Sequence, residues 1–102
     1  MAEKFNLNVS VKYGEGAVVS KTLIDKQSGT VTLFAFDKGQ GLSEHTAPFD
    51  ALVNVTEGEA QIKIGGNQVN LKAGESIIMP ADIPHSLKAA EKFKMMLVMI
   101  KG

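Results

Sequence analysis

The chain contains no cysteine and no tryptophan, one tyrosine, three prolines and two histidines. Without cysteine there is no disulfide framework, no thiolate nucleophile and no sulfur-ligated zinc or iron–sulfur centre. Aromatic residues make up only 6%, so stacking platforms are scarce. Lysine plus arginine number 11 and so do aspartate plus glutamate, which sets the net charge at zero. That balance lacks the basic excess of nucleic-acid domains and of electrostatic membrane attachment. The longest apolar run, Met95 to Ile100, is far short of a membrane span. The opening residues Met1-Ala2-Glu3-Lys4-Phe5 lack the basic-then-apolar layout of a secretory leader. A cytoplasmic, reducing setting is the expectation. Metal or acid–base chemistry near neutral pH is expected to run through His45 and His85, the two imidazoles available.

What is present is a succession of short strands in one domain, residues 1–102. At 102 residues with 44% apolar and 22% charged side chains, the chain has the ordinary make-up of a single-core globular domain. Ala17 to Ile24 is rich in β-branched residues, and Thr30 to Phe36 follows after Gly29. Ala51 to Thr56 is closed by Glu57-Gly58. Ala60, Ile62 and Ile64 alternate with Gln61 and Lys63, the period of a half-buried strand. Gly65-Gly66 supplies the positive φ angles of a tight hairpin, after which Val69 and Leu71 resume the alternation. Ser76 to Met79 is ended by Pro80, and His85 to Ala90 is a further strand. Lys94 to Ile100 carries helix-favouring Met and Leu, yet it is short and follows a train of strands. It reads as a strand buried on both faces, with a helix as the alternative. Phe5, Leu7, Val9 and Val11 also alternate, so residues 1–16 are expected to add an edge strand or one exchanged within a dimer. About nine or ten such strands with close turn signals specify an antiparallel sandwich or barrel.

Two stretches carry a recognisable spacing. The first runs Gly39, five residues, His45, one residue, Ala47, three residues, Ala51, six residues, Gly58. The second runs Gly74, five residues, Pro80, one residue, Asp82, two residues, His85, and fifteen residues separate the two. The pattern resembles the paired motifs of small single-domain cupins of the conserved-barrel, RmlC-like kind. The resemblance implies an all-β, antiparallel double-stranded β-helix, the cupin jelly-roll barrel. It also implies a mouth where His45 and His85 meet. Full-motif relatives hold a divalent ion such as Fe, Mn, Ni or Zn there with three histidines and one carboxylate.

This chain departs from that set. Ala47 replaces the second histidine and Ala51 the glutamate, Asp82 stands where glycine is usual, and Ala89 replaces asparagine. Two imidazoles alone hold a metal weakly, because stable sites use three or four protein ligands. Asp50 joins His45 and His85 as a metal candidate only if a bulge turns it inward, and Glu44 and Asp82 are weaker candidates still. A binding pocket is expected from His45, His85, Ala47, Ala51, Val53 and Met79, with Val55 on one wall and Phe34 or Phe36 opposite. The methionines read as core filling.

Three functions remain open. The favoured one is binding of a small molecule in the barrel mouth, without a tightly held metal. The alternatives are a metal-dependent dioxygenase or isomerase working through His45 and His85, and a non-catalytic sensory or interaction module. The histidine pair can also be purely structural. A homodimer is the expected partner state, because Met95 to Ile100 and Leu52 present apolar side chains on the outer side of the barrel. No nucleic-acid or membrane partner is expected.

Overall fold

A computed structural model describes residues 2–102. Nine strands form two antiparallel sheets. In chain order they are β1 (Val18–Lys26), β2 (Gly29–Phe36), β3 (Gly41–His45), β4 (Asp50–Glu57), β5 (Glu59–Ile64), β6 (Asn67–Lys72), β7 (Ser76–Met79), β8 (His85–Lys88) and β9 (Phe93–Ile100). One sheet has the order β1-β2-β9-β4-β7 and the other β3-β8-β5-β6. The core lies between them, as the all-β reading requires. Lys94 to Ile100 is a strand and not a helix. It is the central strand of the larger sheet, and its pairing on both sides overrides the helix preference of Met and Leu.

Local chemistry explains the connections. Ile64 pairs with Asn67, so Gly65-Gly66 is a two-residue loop, and both glycines have positive φ (58° and 85°). Gly58 has φ 77°, and a Cβ there would stand 2.5 Å from the Lys92 carbonyl oxygen, so the β4–β5 corner excludes any side chain. Along β4, Ala51, Val53 and Val55 are buried while Leu52 faces out. Phe36 and Phe93 stack at 4.5 Å in the closed end of the barrel.

The N-terminal segment departs from the expected edge strand. Residues 2–16 contain no strand, and Leu7–Ser10 forms one helical turn. Asn6 explains this. Its side chain accepts from Asn8 N–H (2.9 Å) and its carbonyl accepts from Ser10 Oγ–H (2.8 Å), so local bonds replace a strand ladder. The alternation of apolar residues is then used at a spacing of four. Leu7 and Val11 turn inward, whereas Phe5 and Val9 are exposed. The segment lies as a strap across the outer face of the larger sheet, where Val11 packs on Leu33 and Ala35.

Polar contacts fix this strap. Tyr13 donates its hydroxyl proton to Glu57 (2.6 Å), and the ammonium groups of Lys92 and Lys94 each lie 4.8 Å from the Tyr13 ring centre. Lys94, itself buried, donates to the Asn8 carbonyl, and Asn8 Nδ2 donates to the Thr56 carbonyl (3.0 Å). Burial and then the Glu57 carboxylate hold the Tyr13 phenol well above its ordinary value. A raised phenol pKa means the neutral form stabilises the fold. That contribution is complete below the ordinary tyrosine value of about 10 and is lost as pH rises through the raised one. Tyr13→Phe is expected to cost about 1–2 kcal/mol in urea denaturation and to flatten the alkaline limb of the stability profile. An unchanged alkaline limb would refute the assignment.

Candidate functional site

The histidines are brought together by an irregularity in β3. Leu42 pairs with Leu87 and His45 with His85, so three residues of β3 span two of β8. This extra residue is a bulge, and it sets His45 directly opposite His85. His85 is buried and His45 lies at the exposed rim.

Each ring is oriented by a carbonyl two residues before it in the chain. His45 Nδ1 lies 2.7 Å from the Ser43 carbonyl oxygen, and His85 Nδ1 lies 3.1 Å from that of Ile83. A neutral ring that donates Nδ1–H to its carbonyl presents a lone pair at Nε2, and the other tautomer presents Nε2–H. The two Nε2 atoms face one another at 3.2 Å, with ring centres 4.4 Å apart and planes at 71°. Two lone pairs at that distance repel unless a proton, a cation or a ligand donor stands between or beside them.

Beneath the pair is a cavity of about 50 Å³, room for about three or four water molecules. Apart from the two imidazoles its lining is apolar. Ala47, Ala51 and Met79 line it as expected, and Phe49, Leu42 and Met99 contribute as well. The remaining expected positions fall elsewhere. Val53 and Val55 are fully buried in the core and do not reach the cavity, because the β4 alternation carries them towards the closed end. Phe34 and Phe36 also pack in the core and not on the wall. Leu97 and Met95 reach the wall from β9. Phe49 and Leu42 had no periodic signal in the sequence, since both adjoin the irregular loop and bulge between β3 and β4.

The acids do not converge on the mouth. Asp50 Oδ1 accepts from Ala81 N–H (2.8 Å), which ties the start of β4 to the end of β7. Glu44 is exposed and lies outside the cavity lining. Asp82 has φ 65°, the left-handed conformation, which aspartate tolerates better than most residues other than glycine. Its backbone N–H donates to the Ala47 carbonyl (2.8 Å) and closes the loop below His85. Among the described residues no three His, Cys, Asp or Glu side chains cluster as metal ligands.

This jelly roll with a histidine mouth is the architecture of a cupin barrel. The cupin domain family model matches residues 32–101, and the chain belongs to that family. A conserved protein of unknown function from Streptococcus pyogenes is 37% identical, with TM-score 0.94 over 100% of this chain and 90% of that one. A cupin 2 conserved barrel domain protein from Leptotrichia buccalis is 44% identical, with TM-score 0.92. The match covers 95% of this chain but 47% of that protein, so this chain spans about half its length. An RmlC-like cupin from Shewanella frigidimarina shares the fold at 20% identity and TM-score 0.81, over 89% of each chain. No curated protein matches the chain. Among the described residues no helix is long and apolar enough to cross a membrane.

Ala51 sits on the cavity floor with only a methyl group, so a larger apolar side chain fills the space without adding chemistry. Ala51→Leu is expected to keep the fold, with a stability change within about 1–3 kcal/mol. It is also expected to abolish xenon or small-alcohol binding seen by NMR shifts of the Met99 methyl. Retained shifts would place the binding space elsewhere.

Proposed function

We propose that the barrel mouth binds a small organic molecule with a compact apolar body and one hydrogen-donating head. The observation that carries this reading is the polarity of the histidine pair. Both Nδ1 atoms lie within hydrogen-bond distance of carbonyl oxygens, and in the tautomer that donates to them both Nε2 atoms offer acceptors at the rim of an apolar cavity. An alcohol, thiol or ammonium head satisfies them, and Ala47, Ala51, Met79 and Phe49 accept the body. A ligand of about five heavy atoms gains at most roughly 7 kcal/mol, so micromolar affinity is the ceiling.

The metal-dependent alternative draws on one distance. Two nitrogens 3.2 Å apart match two corners of a tetrahedral site with metal–nitrogen bonds of about 2.0 Å. The rest of the ligand set does not fit. Ala47 and Ala51 present methyl groups at the other positions, and the Asp50 carboxylate accepts a backbone hydrogen bond outside the cavity lining. No catalytic step through an ion is derived from these residues.

Thermal-shift screening of small branched alcohols, thiols and amines against the chelator-treated, untagged chain tests the reading. A stabilising donor ligand that weakens at least about tenfold in His85→Ala is expected, equivalent to about 1.4 kcal/mol. Equal response to ethers and esters, which donate nothing, would defeat the donor rule. For the metal, Ala47→His combined with Ala51→Glu is expected to convert chelator-labile uptake into stoichiometric Zn or Mn measured by elemental analysis. Stoichiometric metal surviving chelation in the unaltered chain would favour the metal-dependent alternative instead.

A further inference from the structure

The outer face of the smaller sheet carries a polar groove, separate from the barrel mouth. Along β5 and β8, Ile62, His85 and Leu87 turn inward, so the residues between them face out. The pairings set Gln61 opposite Lys88 and Lys63 opposite Ser86, and these four outward positions form a square. The two lysines occupy one diagonal, about 7–8 Å long, and Gln61 and Ser86 the other. Strand β6 widens the square, because Gln68 lies opposite Lys63 and Asn70 opposite Gln61. Gln61 and Ser86 are half-buried and make the floor, while Lys63, Lys88 and Gln68 are exposed and make the walls. Together these five line a depression of about 290 Å³. Ser86 and Lys88 continue into a second depression of about 380 Å³ that runs along β3 past Ser43 to Gly41. Gly41 lies opposite Lys88, and a Cβ there would collide with the Leu87 carbonyl oxygen, so position 41 cannot carry a side chain that covers Lys88.

We infer that this groove binds the phosphate monoester of a small polyhydroxylated molecule, a sugar or polyol phosphate. Two ammonium groups across a diagonal can close on one tetrahedral dianion, each offering three donors. Among the described residues neither lysine enters an ion pair, whereas Lys38 pairs with Glu91. Among the described residues the groove lining also holds no carboxylate. Glu59 lies opposite Lys72 one row along, where the two charges offset, and Glu44 borders Lys63 in an adjoining depression. The groove is thus a local positive site on a chain of zero net charge. Its other side chains select the body of the ligand. Gln68 Nε2 donates to Asn70 Oδ1 (3.2 Å), which leaves the Gln68 amide oxygen as an acceptor. The Gln61 amide and the Ser86 hydroxyl add both donors and acceptors. Such a lining matches hydroxyl groups and gives an apolar body nothing to pack against, the reverse of the mouth. Strand β8 divides the two sites. His85 and Leu87 line the mouth cavity on one face, and Ser86 and Lys88 line the groove on the other.

Amide chemical shifts of the isotope-labelled full chain, titrated with glucose 6-phosphate, test this at about pH 8, where the monoester is a dianion. Saturating shifts in the millimolar range are expected at Gln61, Lys63, Gln68, Ser86 and Lys88. Lys63→Gln and Lys88→Gln are each expected to weaken binding about fivefold, and together about twentyfold. Both side chains are exposed, so the fold does not need them. Lys26→Gln, on the other sheet, is expected to leave binding unchanged. Raising the ionic strength from about 0.05 M to about 0.5 M is expected to weaken it several-fold. Glucose and inorganic phosphate serve as separate arms, the first expected not to bind and the second to bind at least about threefold more weakly than the ester. Glucose equal to its phosphate, or inorganic phosphate equal to the ester, overturns the assignment. So do shifts confined to the mouth, the absence of any saturating shift, or binding that survives both lysine substitutions.

Discussion

Each strand of the larger sheet has to serve two apolar faces at once, and the rest of the molecule depends on that constraint. A strand presents successive side chains to opposite sides. In β4, Ala51, Val53 and Val55 face the barrel while Leu52 faces out. In β9, Met95 and Leu97 line the cavity, while Met96 lies under the strap and Val98, paired with Leu52, faces out. Inward residues are graded along the strand. Val53 and Val55 close the barrel, and only Ala51 is small enough to leave space at the mouth. Cavity position and surface chemistry are thus both consequences of one register.

The histidine pair obeys a second constraint, of polarity rather than packing. Both rings hold Nδ1 against a backbone carbonyl, and the β3 bulge brings the two Nε2 atoms together. An isolated structural histidine pair relaxes by letting one ring donate to the other. Here that would leave the Ser43 or Ile83 carbonyl without its donor.

Much of this was legible in the residues. Alternation at Ala60, Ile62 and Ile64, the Gly65-Gly66 hairpin and the spacing from Gly39 to His85 led directly to the barrel and to the meeting of His45 with His85. What was hidden depends on register or on local hydrogen bonds. Phe5, Leu7, Val9 and Val11 have a strand's alternation, yet the Asn6 cap winds the segment into a turn that period alone does not reveal. Val53 looked like cavity wall because it shares a face with Ala51; its depth along the barrel follows only from how β4 lies against β7 and β9. Leu52 and the Met95 to Ile100 stretch are legible as apolar on the outer side, but the alignment of Ile24, Val31, Val98, Leu52 and Ile78 across the sheet follows only from four separate pairings.

Methyl groups at positions 47 and 51 are compatible with this fold for a physical reason. A carboxylate or imidazole buried at the mouth without a partner is costly, and positions 47 and 51 place no polar group there. Alanine there removes that desolvation cost and adds apolar wall. His45 and His85 are different, because backbone carbonyls satisfy one nitrogen of each ring whether or not anything occupies the mouth. Side-chain polarity in the mouth is therefore confined to two groups that the backbone itself can satisfy. The turn glycines, the Pro80 strand end and the histidine pair thus stand together with a mouth whose remaining lining is apolar.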